Sequence, residues 1–66
     1  MKIMLHKDES GNLSVYVPKK DLEEEVVEQT RDGDDRIFTL ANGWKLSVSG
    51  LTDPMQLPQT VQAKRL

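Results

Sequence analysis

The residues of this chain that could take part in chemistry are a run of carboxylates, one histidine and four serines. Glu23, Glu24 and Glu25 could supply paired carboxylates for acid–base catalysis. Such catalysis needs a desolvated cleft that moves two pKa values apart, and neighbouring exposed glutamates do not provide one. None of the serines lies in a nucleophile-elbow context. We therefore expect no catalytic residues and no enzymatic activity.

The sequence offers little to hold a metal or a cofactor. His6 is the only histidine and there is no cysteine, so a zinc or iron ligand set cannot be completed. The run from Asp32 to Asp35 has some likeness to a calcium loop, but its glycine stands at the second position instead of the sixth. The four glycines are scattered singly, so no phosphate-binding loop is formed. We expect neither a metal nor a cofactor.

The charge of the chain is unevenly distributed. Residues 21–35 contain eight acidic side chains and one arginine, a net charge of −7, and since the whole chain carries −2 the remainder carries +5. Nucleic acid or an anionic membrane would favour a basic face on the protein that binds it. The pattern indicates a solvated acidic edge, and we expect neither nucleic acid nor a membrane as a partner.

The length of the chain limits the size of its fold. Its 66 residues suffice for one domain, residues 1–66, with a small core and no disulfide. The apolar run at residues 1–5 is too short for a signal peptide, and no stretch approaches the length of a membrane span. We therefore expect a cytoplasmic protein.

Residues 37–48 predict a central β-hairpin. Asn42-Gly43 stands between two apolar-rich runs, and both residues tolerate the positive φ of a two-residue type I′ turn. Such a turn predicts three cross-strand pairs: Ala41 with Trp44, Thr39 with Leu46, and Ile37 with Val48. Because side chains alternate along a strand, these six would form the apolar inner face. The outer face would then carry Phe38, Leu40, Lys45 and Ser47.

Two earlier segments alternate as half-buried strands do. In residues 2–7, Ile3 and Leu5 share one face, and in residues 13–17 the apolar side chains alternate in the same way. A polar loop with Gly11 connects the two segments. They predict a second hairpin, with His6 and Tyr16 on its outer face.

Residues 18–29 permit two interpretations. Propensity favours a helix, since Pro18 suits a first helical turn and lysine, leucine and glutamate are good helix formers. The apolar stripe, however, is only Leu22 and Val26, and the lysines precede the acids, which opposes the helix dipole. We favour one turn around residues 19–23 and a short strand at residues 25–29, with the full helix as the alternative.

The rest of the chain predicts turns, an irregular segment and a closing strand. Residues 30–36 predict a turn, and the proline- and glycine-containing residues 49–58 predict a loop. Three apolar side chains of that loop are spaced to cover an open end of the sheet: Leu51, Met55 and Leu57. Residues 59–66 alternate once more. About six short strands therefore predict an all-β fold, a small, partly open β-barrel built around the 37–48 hairpin.

Two aromatic residues are candidates for an exposed anchor. Trp44 could be such an anchor at the hairpin tip or the largest side chain of the core, and we favour a core or half-core position. Tyr16 is the better candidate for exposure, and Lys19 and Lys20 are close to it in sequence. A single-stranded nucleic-acid platform would need more aromatics among basic residues.

Two runs of the sequence are specific: Tyr-Val-Pro-Lys-Lys-Asp-Leu-Glu-Glu at residues 16–24 and Leu-Ala-Asn-Gly-Trp at residues 40–44. Together with the opening residues 1–4 and the ending 57–66, these runs resemble the NifT/FixU family, small proteins encoded among the nitrogen-fixation genes of diazotrophic bacteria. The resemblance spans nearly the whole chain in order. The acidic segment around residues 32–35 is where such proteins differ most.

The resemblance implies a partly open β-barrel and an accessory role in nitrogen fixation, in nitrogenase maturation. The family has no assigned catalytic or ligand-binding residues to transfer. Our hypothesis is a non-catalytic protein-interaction factor whose partners are nitrogenase components or assembly factors. Its candidate partner surface consists of Tyr16, Lys19, Lys20, Glu23, Glu24 and Glu25. The alternative is a small SH3-like or OB-like barrel that binds nucleic acid.

Overall fold

The computed structural model describes residues 1–51 and 56–66, and in these it contains seven β-strands and one turn of 3₁₀ helix. The strands are β1 (Lys2–Lys7), β2 (Leu13–Val17), β3 (Leu22–Asp32), β4 (Asp35–Leu40), β5 (Lys45–Ser49), β6 (Gln59–Gln62) and β7 (Lys64–Arg65). The 3₁₀ turn, Pro18–Lys20, connects β2 to β3.

The strands form one antiparallel sheet in the order β6-β1-β2-β3-β4-β5-β7. β6 and β7 are separated in the chain only by Ala63, yet β6 pairs with β1 and β7 pairs with β5. The two ends of the sheet therefore meet at Ala63, which exchanges backbone hydrogen bonds with Met1. The prediction of an all-β barrel is confirmed. Its closing strand is divided in two, which makes seven strands instead of about six.

The core lies inside this barrel. Among the described residues, the buried apolar side chains come from β1, β2, β4 and β5 and from the corner between β6 and β7. They are Ile3, Leu5, Val15, Val17, Phe38, Leu40, Leu46, Val48 and Ala63. The inner faces predicted for residues 2–7 and 13–17 are confirmed. The loop between them, residues 8–12, forms as predicted, with Gly11 at a φ of 85° and the Asp8 carboxylate accepting backbone N–H bonds.

Residues 18–29 do not form one continuous helix. After the 3₁₀ turn, Asp21 adopts a left-handed conformation with a φ of 48°, and β3 begins at Leu22. The alternative of a full helix is therefore wrong, and the predicted turn and strand are both present. β3 continues to Asp32, well beyond the predicted strand 25–29, so the predicted turn at 30–36 shrinks to Gly33 and Asp34 between β3 and β4.

β3 pairs with two neighbours and contains a β-bulge at Val27. Val26 lies opposite Leu40 and Glu28 lies opposite Thr39, so Val27 is the extra residue on β3. A bulge bends a strand and increases its twist. Residues 22–25 accordingly pair with β2, and the residues beyond pair with β4. Bending of this kind favours the curvature that barrel closure requires.

The central hairpin forms, but its predicted register is wrong by one residue. Phe38 lies opposite Leu46, Thr39 opposite Lys45 and Ile37 opposite Ser47. Phe38, Leu40, Leu46 and Val48 form the inner face, whereas Ile37 and Thr39 lie outside and are half-buried. Ala41 is exposed at the turn and does not lie opposite Trp44.

The turn chemistry explains this difference. The loop has three residues, Ala41, Asn42 and Gly43, and of these only Gly43 has a positive φ, 93°. The Gly43 N–H donates to the Leu40 carbonyl at 2.9 Å, and the Leu40 N–H donates to the Trp44 carbonyl at 2.8 Å. This is the three-residue hairpin loop that ends in a left-handed glycine, not a type I′ turn.

The predicted loop 49–58 can be followed only in part. Leu51 and Leu57 are half-buried and pack against the core, as predicted, whereas Met55 lies outside the described residues. Val61 is also half-buried against the core. In the parts of the chain that the structure describes, no helix has the length and apolar character needed to cross a membrane.

Candidate functional site

One outer surface of the barrel carries a row of polar and aromatic side chains. We call it the β1–β3 face and define it by Met4, His6, Tyr16, Glu23 and Glu25. Met4 lies opposite Tyr16 across β1 and β2, and Tyr16 lies opposite Glu23 across β2 and β3. Residues that are directly opposite in an antiparallel ladder project from the same side. The row therefore crosses three strands on one face.

A contact between a histidine and a carboxylate joins the first strand of this face to the third. The Nε2 atom of His6 lies 3.1 Å from Oε1 of Glu23. β2 lies between these two strands, and its Ser14 is opposite His6 of β1 and opposite Glu25 of β3. The expected outer position of His6 is confirmed, and its partner there is a carboxylate.

Tyr16 is held by the residue that ends the 3₁₀ turn. Its hydroxyl donates a hydrogen bond of 2.9 Å to Oδ1 of Asp21. This hydrogen bond, together with the negative charge of Asp21, raises the pKa of the Tyr16 phenol above its ordinary value of 10.0. Asp21 itself ends the 3₁₀ turn in a left-handed backbone conformation. The ring of Tyr16 is thereby oriented while remaining partly exposed.

The six residues of the predicted partner surface are not all on one face. Glu23 and Glu25 are exposed and accompany Tyr16 on the β1–β3 face. Glu24, between them, lies opposite the buried Val15 and is half-buried, because side chains alternate along β3. Lys19 is exposed in the 3₁₀ turn.

Lys20 lies by another aromatic residue. Its Nζ atom is 5.9 Å from the ring centroid of Trp44, and Cζ of Arg65 is 3.9 Å from the same centroid. We call these three residues the Trp44 cluster. Trp44 is half-buried and packs against the core, as favoured from the sequence. Arg65 was not among the predicted site residues, because no sequence pattern showed that the chain end would return to the central hairpin.

The described residues contain no arrangement typical of a metal centre. Among residues 1–51 and 56–66, no three His, Asp or Glu side chains lie close enough together to hold an ion. Every buried side-chain nitrogen or oxygen in that part of the chain has a hydrogen-bond partner. The β1–β3 face and the Trp44 cluster can offer a ligand hydrogen bonds, charge and aromatic contact.

These features define a class: a small, nearly closed antiparallel β-barrel whose distinctive groups lie on its outside. The sequence of the chain matches the family described as NifT/FixU protein over residues 1–63. The chain belongs to this family and is a nitrogen-fixation-associated protein. The resemblance noted in the sequence is confirmed.

Curated relatives support this assignment over nearly full length. The chain is 39% identical to a FixU homolog of Sinorhizobium fredii over 67 residues, covering all of this chain and 87% of the relative. It is 38% identical to the FixU protein of Rhizobium leguminosarum bv. trifolii over 66 residues, covering 98% and 93%.

A third relative is much longer than this chain. The chain is 42% identical to the MosB protein of Rhizobium meliloti over 55 residues. The match covers 82% of this chain and 11% of MosB.

Proposed function

We propose that this protein is a non-catalytic interaction factor in nitrogen fixation that contributes to nitrogenase maturation by binding nitrogenase components or assembly factors. It works in the cytoplasm, without a cofactor, through the β1–β3 face. The observation that carries the proposal is the ordered row of Met4, Tyr16 and Glu23 across three strands of a family member.

The composition of this face suits a protein partner. Tyrosine and methionine are enriched in protein interfaces, where they supply large contact areas. Met4 is 38% exposed, and the Tyr16 ring beside it is fixed by Asp21, so little side-chain freedom is lost on binding. Glu23 and Glu25 provide charges at the β3 side of the patch, where they would select a partner with basic residues.

The remaining residues of the predicted surface have different roles in this proposal. Lys19 is exposed in the adjoining 3₁₀ turn and extends the face with a positive charge. Glu24 lies toward the barrel interior and contributes through the local negative charge more than through direct contact. Lys20 lies by Trp44 and belongs to the Trp44 cluster.

A capture experiment in nitrogen-fixing cells tests the proposal. An affinity-tagged chain is expressed in a diazotroph grown either without fixed nitrogen or with ammonium, and the recovered proteins are identified by mass spectrometry. We expect nitrogenase subunits or their assembly factors in the first sample. Their absence, with the tagged protein intact and folded, would count decisively against the proposal.

Two matched variants link capture to the face. Glu23→Gln removes one charge from the β1–β3 face, whereas Glu9→Gln removes the same charge from the exposed loop between β1 and β2. We expect Glu23→Gln to reduce recovery, and its combination with Tyr16→Ala to reduce recovery by about tenfold. Glu9→Gln should leave recovery unchanged, and an equal loss with Glu9→Gln would show that overall charge, not this face, governs binding.

A further inference from the structure

The Trp44 cluster holds two cations close to one aromatic ring. At 3.9 Å, the Arg65 guanidinium stacks on the indole ring, and the Lys20 ammonium lies within reach of the same ring at 5.9 Å. Both distances are within the range of cation–π attraction, for which tryptophan is the most favourable ring. Two positive charges are thus gathered around the ring of Trp44.

The aromatic platform of this cluster is rigidly placed. Trp44 follows the central turn, where its backbone N–H donates to Oδ1 of Asn42 at 3.0 Å and its carbonyl accepts from Leu40. Its side chain packs against the core. The ring therefore has little freedom to move away from the two cations.

The backbone beside each cation is also fixed. Arg65 of β7 lies opposite Leu46 of β5. The next residue, Leu66, donates its N–H to the Lys45 carbonyl at 2.9 Å. Lys20 ends the 3₁₀ turn, which closes through a bond from the Asp21 N–H to the Pro18 carbonyl. Preorganised groups of this kind lose less conformational entropy when they bind a ligand.

Neither cation is neutralised by the part of the chain that the structure describes. Within residues 1–51 and 56–66, no carboxylate lies within ion-pair distance of Lys20 or Arg65. Asp21, next to Lys20 in sequence, instead accepts a hydrogen bond from Tyr16. Stacking uses the flat face of the guanidinium, so its five N–H donors, which lie in the plane, remain available to an acceptor.

We propose that the Trp44 cluster is a carboxylate-binding site that receives an acidic segment of a partner protein. One carboxylate takes the planar fork of Arg65 in a bidentate contact, and a second interacts with Lys20. The indole ring excludes water from one side of the guanidinium, which strengthens the charge–charge attraction. This inference rests on the proposed role as a protein-interaction factor and adds the chemistry of one contact.

The geometry favours protein carboxylates over nucleic acid. Base stacking needs a vacant aromatic face, whereas Arg65 already stacks on the ring of Trp44, the only tryptophan of the chain. A nucleic acid also gains its affinity from many phosphate contacts, and this chain has a net charge of −2. Two neighbouring cations instead complement the negative charge of a short acidic segment of a protein.

A peptide titration tests the site directly. The probe is a synthetic peptide of alternating glutamate and serine, and the matched control peptide has glutamine in place of glutamate. Binding to the full chain is measured by calorimetry at low ionic strength and by the fluorescence of Trp44. We expect saturable binding of the glutamate peptide with a change in Trp44 emission, and none with the glutamine peptide. An oligothymidylate that bound more tightly than the acidic peptide would overturn the proposal.

Charge-matched variants identify the site. We expect Arg65→Gln to weaken peptide binding by about tenfold, and Arg65→Lys to weaken it by about threefold because the charge remains and the bidentate fork is lost. Lys20→Gln should weaken binding by about threefold, whereas Lys7→Gln, which removes the same charge from the end of β1, should change it by less than about twofold. Equal losses in all variants, or no peptide binding by the parent chain, would overturn the site.

The two proposals can fail separately. If the double variant with Lys20→Gln and Arg65→Gln still captures nitrogenase components as well as the parent chain, and the acidic peptide does not bind, the carboxylate site is wrong and the interaction role stands. If the acidic peptide binds at the Trp44 cluster but no nitrogen-fixation protein is ever captured, the carboxylate site stands and the proposed partners are wrong.

Discussion

Phe38 and Leu46 lie directly opposite each other on β4 and β5, and both side chains are completely buried. The register that this pairing defines places Leu40 and Val48 on the same inner face. It leaves Ile37 and Thr39 on the outside of the barrel, half-buried. The register thus decides which of two apolar alternations in β4 becomes the core.

Alanine substitutions on the two faces of β4 test this register. We expect Leu40→Ala to lower the free energy of unfolding by about 2–5 kcal/mol, because it leaves a cavity in the core. Ile37→Ala, on the outer face, should lower it by about 1 kcal/mol. Urea unfolding followed by Trp44 fluorescence measures both. A larger loss from Ile37→Ala than from Leu40→Ala would show that the register is the one predicted from a two-residue turn.

The register could not be predicted from apolar alternation alone. In β4 both faces are apolar or nearly so, Ile37 with Thr39 and Phe38 with Leu40, so the pattern is compatible with either choice. The prediction then depended on the turn, and Asn42-Gly43 fits both a two-residue and a three-residue loop. The bulkier pair, Phe38 and Leu40, was the available signal for the observed face.

Other parts of the fold followed directly from the sequence. β1 and β2 alternate strictly, and their faces were predicted correctly from Ile3, Leu5, Val15 and Val17. β3 was predicted too short, because the polar, glycine-containing residues 30–36 predict a turn, whereas the strand in fact continues to Asp32.

The candidate site was only partly accessible to sequence reasoning. Tyr16 and the glutamates were identified from residue type and alternation, and the cross-strand register places Tyr16 opposite Glu23. The contact of Arg65 with Trp44 depends on how the barrel closes, since β7 pairs with β5 from the far end of the chain. Long-range pairings of this kind leave no local pattern.

The glycine of the central turn should resist substitution. Gly43 has a φ of 93°, and a Cβ at this position would meet nothing within 4 Å. We expect Gly43→Ala to lower the free energy of unfolding by about 1–2 kcal/mol through backbone strain alone. Gly43→Asn should cost less, because asparagine tolerates left-handed backbone. Thermal denaturation compares the two, and equal stability of Gly43→Ala and the parent chain would contradict the turn geometry.

The phenol of Tyr16 should titrate at high pH in a way that depends on Asp21. Because the hydrogen bond raises the pKa of Tyr16 above 10.0, its contribution to stability is present below that pH and is lost as the pH rises through the raised pKa. We expect Asp21→Gly, which suits the left-handed backbone, to return the pKa toward 10.0.

Ultraviolet absorbance of the phenolate measures this pKa, and the chain has only one tyrosine. Asp21→Asn is the matched control, since it keeps an acceptor oxygen and removes the charge, and it should give a smaller decrease. An unchanged pKa in Asp21→Gly would mean that the Tyr16–Asp21 hydrogen bond is absent in solution.

The contact between His6 and Glu23 should contribute little to stability. Exposed ion pairs contribute about 0–1 kcal/mol, and the Glu23 side chain is 56% exposed. We expect Glu23→Gln to change the free energy of unfolding by less than about 1 kcal/mol in urea denaturation. A loss of several kcal/mol would mean that Glu23→Gln destabilises the fold. A decrease in partner capture by this variant would then not identify the β1–β3 face as the binding surface.

Photo-crosslinking from the β1–β3 face tests the interaction role most directly. Photoreactive p-benzoylphenylalanine is placed instead of Tyr16 in the tagged chain, and in a control chain instead of Glu9, and nitrogen-fixing cells are irradiated. We predict a covalent adduct between position 16 and a nitrogenase subunit or assembly factor, and none from position 9. No adduct at position 16 with the protein folded and abundant, or equal adducts from both positions, would contradict the role of this face.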